Sequence, residues 1–283
     1  MKNNTVRTIL FIVLIALILA SVKVLTSVFI EVKKQGIPGF TEKTASLITP
    51  NQPTQKEPNK KPPKENLDNP YTGERIAYSI SMGGLGVGKA WFSQLENTVL
   101  SGKTVFVMSM QTKLNTRFKD TEIIFSDPKT LLPIKVERDV VNMFKREKIV
   151  EDYDQKNFTV TISKQVGKHT EKIVITKESA IHNAILLPHV VRKMDDLRTG
   201  KTIIANLPGR SVEIKLDSIE DVNVPAGTYK SYHFVSNPKQ IEFWISADTQ
   251  KIPLKIKSSG AFAYTMKMQE YIPAKQTLQA EKE

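Results

Sequence analysis

The chain has 283 residues, 40% of them hydrophobic, and a formal net charge of +12; that length allows one domain of about 200 residues plus extensions. There is no cysteine, which excludes disulfides, thiolate metal sites, cysteine nucleophiles and a lipidated cysteine behind a signal. The positive balance would point to nucleic acid only if it gathered and interleaved with aromatics. Along the sequence lysines instead alternate with acids, as in Lys135, Glu137, Arg138 and Asp139, the pattern of solvated strand faces, so no nucleic-acid partner is expected.

Residues 1–32 read as a membrane anchor. Thr8 to Val22 is almost wholly apolar, Lys23 interrupts, and Val24 to Ile30 is apolar again. With Lys23 snorkelling, Val6 to Ile30 is long enough for an N-terminal transmembrane helix. Lys2 and Arg7 place the N-terminus in the cytoplasm, which predicts a single-pass inner-membrane protein with its C-terminal domain in the periplasm. The alternative is secretion to the periplasm after signal cleavage, against which Ile18 stands where a small residue is preferred. Residues 33–70 hold seven of the 15 prolines. This Pro/Lys-rich linker extends rather than folds.

Residues 71–273 read as a β domain, with a polar tail at 274–283. Period-two alternation recurs along it: Ile76, Tyr78 and Ile80; Val105, Val107 and Ser109 opposite Phe106, Met108 and Met110; Ile134, Val136, Arg138 and Val140; Val212, Ile214 and Leu216; Ile241, Phe243 and Ile245; Ile252, Leu254 and Ile256; Phe262, Tyr264, Met266 and Met268. Turn signals separate these runs, among them Gly83-Gly84, Ser101-Gly102, Asp127-Pro128 and Pro225-Ala226-Gly227. One stretch, Ile181 to Arg198, lacks turns and alternation and reads as a short helical insert that starts late or is broken at Pro188 and is stopped by Gly200. The predicted fold is mostly β: an antiparallel, strongly curved sheet or partly closed barrel with one helical insert.

Chemical motifs are scarce. Gly83 to Lys89 has the spacing of a phosphate-binding loop, but Ala90 stands where a magnesium-holding hydroxyl is needed and a strand follows instead of a helix. A glycine-rich hairpin turn accounts for it. His169, His182, His189 and His233 form no short metal-binding pair. Glu151, Asp152 and Asp154 lack the ligand spacing of a calcium loop and read as a hairpin. No catalytic residues, metal ligands or cofactor are expected.

Several segments resemble a family. Gly73-Glu74-Arg75-Ile76-Ala77-Tyr78-Ser79-Ile80 with the glycine turn after it, Asp127 to Pro133, Asp152-Tyr153-Asp154, Val224 to Tyr229, and Phe243 to Ser246 with Ile252 to Ile256 occur in the order of a bacterial envelope domain-of-unknown-function family, the one numbered thirty-one-oh-eight. The resemblance covers about residues 71–272. It implies an exported curved β-sheet domain of a Gram-negative-type envelope with no established activity. Such a sheet is also similar to the lipoprotein-carrier fold, an unclosed barrel that holds acyl chains; that is fold analogy alone.

The expected function is a non-enzymatic, membrane-anchored envelope domain that binds a lipid or other hydrophobic ligand. The expected cavity lining, from strand phase, is Tyr78, Phe92, Phe106, Met108, Phe243, Phe262, Tyr264 and Met266. The alternatives are a structural or interaction module with an envelope protein partner, marked by an exposed apolar patch, and an envelope hydrolase, marked by converging carboxylates or a Ser-His pair.

Overall fold

The computed structural model describes residues 69–274 except 116, 144, 261 and 262. The predicted anchor, all of the linker before residue 69, the tail after residue 274 and Phe262 lie outside the described residues. Among the described residues no helix is long and apolar enough to cross a membrane.

The strands are β1 (Arg75–Met82), β2 (Leu85–Gln94), β3 (Thr98–Leu100), β4 (Lys103–Leu114), β5 (Phe118–Ser126), β6 (Pro133–Asn142), β7 (Lys145–Asp154), β8 (Thr159–Val166), β9 (His169–Thr176), β10 (Thr202–Asn206), β11 (Ser211–Val224), β12 (Gly227–Asn237), β13 (Ile241–Ser246), β14 (Pro253–Ser258) and β15 (Tyr264–Ile272). Among the described residues one helix, α1 (Leu187–Arg192), falls in the stretch predicted to be helical. All strands join one sheet in the order β10-β11-β12-β13-β14-β15-β1-β2-β4-β5-β6-β7-β8-β9, with β3 beside β4. Neighbours along that order are antiparallel. The chain starts in the middle, works out to β9 at one edge, crosses to β10 at the other, and returns until β15 closes against β1. Because β9 and β10 stand at opposite ends of the order, the sheet is curved but not closed.

The hairpins are set by local chemistry. Gly83 and Gly84 turn β1 into β2, both at positive φ (54° and 83°), which glycine adopts without a Cβ clash. The phosphate-loop reading fails here, since β2 begins at Leu85 and the helix such a loop needs is replaced by a strand. Gly88 has a different reason: a Cβ there would sit 2.2 Å from the Lys113 carbonyl oxygen, so β2 and β4 can approach only over a glycine. The carboxylate of Asp127 accepts from the Lys129 and Thr130 amides, and that of Asp154 accepts from Lys156 and Asn157, capping the β5–β6 and β7–β8 turns.

The segment between β9 and β10 lies across the end of the sheet where β1 begins. Pro188 sits in the first turn of α1, where its missing N–H costs nothing. Leu187 and Val191 pack on Ala205, Val212, Ile214, Leu216, Phe234, Phe243 and Ile245. Arg192 donates to both carboxylate oxygens of Glu74, at 2.7 and 2.8 Å, lies over the Tyr71 ring at 4.1 Å, and donates to the Gln250 carbonyl. Gln155, in the β7–β8 turn, receives the Ile181 amide (3.0 Å) and donates to the carbonyls of Ile181 (2.8 Å) and Pro133 (2.9 Å). The insert thus plugs one end of the curved sheet.

Candidate functional site: the inner face of the sheet

Strand pairing decides which side chains share a face. Tyr78 pairs with Ala90 and Met268, Ile76 with Phe92, Ile80 with Met266, Phe243 with Ile256, and Met108 with Gln94 and Ile124. Side chains two apart on a strand point the same way. Tyr78, Phe92, Phe106, Met108, Phe243, Tyr264 and Met266 therefore all lie on one face.

That face is the concave one. Through α1 it touches strands far apart in the sheet: His189 stacks on Phe92 of β2 at 4.1 Å, while Leu187 and Val191 pack in the cluster that holds Phe243 of β13. Burial raises the pKa of the Tyr264 phenol on β15, and the charge of Arg138 on β6 opposes that rise. Five strand steps separate these two along the sheet, ~24 Å if it were flat. Such an influence needs the sheet to curl until the two side chains approach across the interior.

The inner face has two walls. The apolar one runs from β11 to β4 and contains Leu216, Phe234, Phe243, Leu254, Met268, Tyr78, Phe92 and Met108, each at most 3% exposed. The Tyr78 hydroxyl donates to the Pro253 carbonyl at 3.0 Å, and burial pushes its pKa far above the usual phenol value. His189 is buried and held neutral, its pKa lowered by burial and by Arg192.

The second wall, on β5 to β8, carries charge inside. Asp120 and Glu122 continue the phase of Ile124; Arg138 lies between Val136 and Val140; Glu151 and Tyr153 continue the phase of Ile149. Arg138 Nε donates to both Asp120 oxygens, at 2.9 and 3.0 Å, and lies 3.9 Å from Glu122. Tyr153 donates to Glu151, and Asn183 of the insert donates to Glu122. Burial pushes Glu122 up to about 7; Arg138 opposes this, and Glu151 and Asp120 add to it. Burial also raises Glu151. Against burial, the Asp120 hydrogen bonds hold Arg138 above its usual value. Three carboxyls lie around one guanidinium, and a proton on Glu122 relieves part of their mutual repulsion.

Exposure along the inner face is uneven. At the plugged end the side chains are dry. Toward the Gly83-Gly84 turn, Met110, Thr112, Asp120, Glu122, Arg138, Ile256 and Ser258 are half-buried, although Ile80, Phe118 and Val140 at that end stay buried. Tyr264 is 36% exposed, yet its pKa is raised by burial. A side chain that is both surrounded by protein and reached by solvent lines a concavity. Among the described residues expected to line a cavity, only Tyr264 has this character. Tyr78, Phe92, Phe106, Met108, Phe243 and Met266 are packed, each at most 6% exposed.

The polar wall is the part that reading the strands for apolar runs passes over. Its signal was nevertheless in the sequence: Arg138 occupies the apolar phase of β6.

This architecture belongs to a family. The model described as "protein of unknown function (DUF3108)" matches residues 77–269, more than half of the chain, and the chain belongs to that family. No curated protein matches. Among solved structures, a β-barrel-like protein of the domain of unknown function DUF1849 from Brucella abortus is 8% identical, with 72% of this chain and 99% of that one covered and a TM-score of 0.45. A putative exported protein with a YmcC-like fold from Bacteroides fragilis is 8% identical, with 71% and 96% covered and a TM-score of 0.25.

Proposed function

We propose that this is a non-enzymatic envelope domain whose concave face takes up the apolar chain of a lipid or another hydrophobic ligand, with its polar group at Glu122 and Arg138. The N-terminal segment tethers it to the inner membrane, and the domain works in the periplasm. The observation that carries the reading is the unevenly exposed inner face: Met110, Ile256 and Tyr264 are partly exposed beside an apolar wall and across from a charged one. Methionine and aromatic side chains suit an adaptable pocket. Native mass spectrometry of residues 66–283, exported to the periplasm and purified without detergent, tests it. A stoichiometric bound mass that vanishes in Tyr264→Asp and Met110→Asp, with the β signal in circular dichroism retained, supports it. A clean protein mass that takes up none of the added envelope lipids sinks it.

One observation favours a second reading, an envelope hydrolase. Glu122, with its pKa near 7, has the protonation of a general acid at working pH. It ranks second because Glu122 and Glu151 already hold Arg138, Asn183 and Tyr153 as partners. Turnover of a glycan or lipid ester, abolished by Glu122→Gln, would reverse the order.

A further inference from the structure

The convex face opposite this interior carries an arrangement that the pairing register alone brings together. Lys255 of β14 pairs with Lys267 of β15. Lys267 pairs with Ser79 of β1, and Ser79 with Lys89 of β2. Lys89 pairs with Lys113 of β4, and Lys113 with Lys119 of β5. Five lysines from five strands thus stand in one lane across six neighbouring strands, ~24 Å long at the usual strand spacing. Lys89, Lys113 and Lys119 are exposed, and Lys255 and Lys267 half-buried.

Like charges directly opposite one another weaken a sheet. Elsewhere this sheet sets its cations beside acids: Lys257 stands opposite Glu242 and bonds it, and ion pairs join Arg146 to Asp139, Lys135 to Glu137 and Lys164 to Glu147. Among the described residues none of the five lane lysines has a carboxylate within 4.0 Å. Glu220 and Glu242 flank Lys255 without pairing with it, and Glu270 lies on the same face further toward the plugged end. Both tryptophans of the chain sit beside the lane. Lys113 lies over Trp91 at 5.6 Å and Lys255 over Trp244 at 3.8 Å, and Trp244 is fixed by a 2.7 Å hydrogen bond to Glu220 and by stacking on His233.

We propose that this lysine lane docks the domain on a bilayer surface rich in anionic phospholipid. The charge is complementary to such a surface, and lysines with tryptophan are the composition of a membrane interface. The lane is a convex sheet face, and a nucleic acid strand is held instead in a groove. A membrane tether, as proposed above for the N-terminal segment, would raise the effective concentration of the domain at such a surface. The docking surface is separate from the proposed interior site and stands whether or not a ligand enters the interior.

Because the only tryptophans flank the lane, intrinsic fluorescence tests the idea on the full chain without a label. The chain is reconstituted into vesicles of dibrominated phosphatidylglycerol in phosphatidylcholine, or into all-phosphatidylcholine vesicles of equal bromine content. Bromine should quench Trp91 in the anionic vesicles alone, and salt at about 1 M, where the screening length is about 3 Å, should relieve it. Each Lys→Gln change should lower the docked-to-free ratio about fivefold, so K89Q/K113Q/K119Q should fall to the phosphatidylcholine baseline. That variant should keep any mass bound in the interior. Equal quenching in both vesicles, quenching unchanged in the triple variant, or displacement from the anionic vesicles by duplex DNA at equal phosphate would each overturn the proposal.

Discussion

The two ends of the inner face are made of the same strands yet differ in what fills them. At the plugged end, α1 supplies the missing wall: the Tyr78 hydroxyl is held by Pro253 and Arg192 by Glu74, and His189 stacks on Phe92. At the turn end the same strands present Met110, Ile256 and Tyr264 to solvent, and Glu122 is left near neutrality. The first arrangement is a core. The second is a core with one side unfilled, where binding can be built at little cost to the fold.

The largest expected effect lies at the plug. Glu74 and Arg192 side chains are each 1% exposed, so Arg192→Ala strands a carboxylate in a dry site. Unfolding in urea should show a loss of about 3–5 kcal/mol. Replacing both partners, as in E74L/R192M, should recover most of it, because the desolvation of both charges is removed together. If the single and double variants lose equally, the pair is not what holds α1 in place.

Truncation sharpens the same contrast. Phe243→Ala removes a ring that is 1% exposed and packed under α1, with an expected loss of about 3–5 kcal/mol. Tyr264→Ala, on the same face but at the open end, should cost under about 1 kcal/mol in the empty protein. Equal losses would mean that Tyr264 is core and that the open end is not open.

How much of this was legible beforehand follows from what each feature depends on. Period-two alternation marks a strand from its own residues, so Ile76-Tyr78-Ile80 and Ile241-Phe243-Ile245 could be read directly, as could the helical insert around Pro188. Seven expected lining residues proved to share a face because phase within each strand is local. Whether they are packed or open depends on α1, which sits over some and not others, and no residue of β1 or β13 records that. The polar wall was half visible, since Arg138 breaks an apolar phase while its partner Asp120 lies on another strand. The lysine lane could not be read at all. Its members are scattered from position 89 to 267, each looks like an ordinary solvated lysine, and only the pairing of β14, β15, β1, β2, β4 and β5 aligns them.

The charged wall makes the contrast depend on pH. The folded state holds a proton on Glu122 up to about pH 7, while an unfolded chain releases it near the ordinary value of 4.5. Between those values the native state binds more protons than the unfolded one, so stability falls as pH rises through this window and levels off above it. With 13% of its side chain exposed, Glu122 should account for about 2–3 kcal/mol of that fall. Glu122→Gln should flatten the slope and be more stable than the parent at pH 8, measured by urea midpoints across the range. An unchanged slope would assign it to Glu151 instead.

A smaller effect than at the plug is expected at the stitch between insert and sheet. The Gln155 side chain has a donor and an acceptor for the Ile181 backbone and a second donor for Pro133, all at the end that α1 plugs. Gln155→Met keeps the length and removes all three bonds, for an expected loss of about 1–3 kcal/mol. Gln155→Glu keeps the acceptor but points a carboxylate at two carbonyls, and it should cost at least as much above the carboxylate pKa. Hydrogen exchange separates this from general loosening. The Ile181 amide should exchange faster in Gln155→Met, while amides in β1 and β2, which are paired on both sides, keep their protection. If the insert is held mainly by Leu187, Val191 and Arg192, the change stays confined to Ile181 and its neighbours, and the plugged end remains dry. If protection is lost along α1 as well, the plug opens from this corner, and the difference between the two ends of the inner face rests on one glutamine.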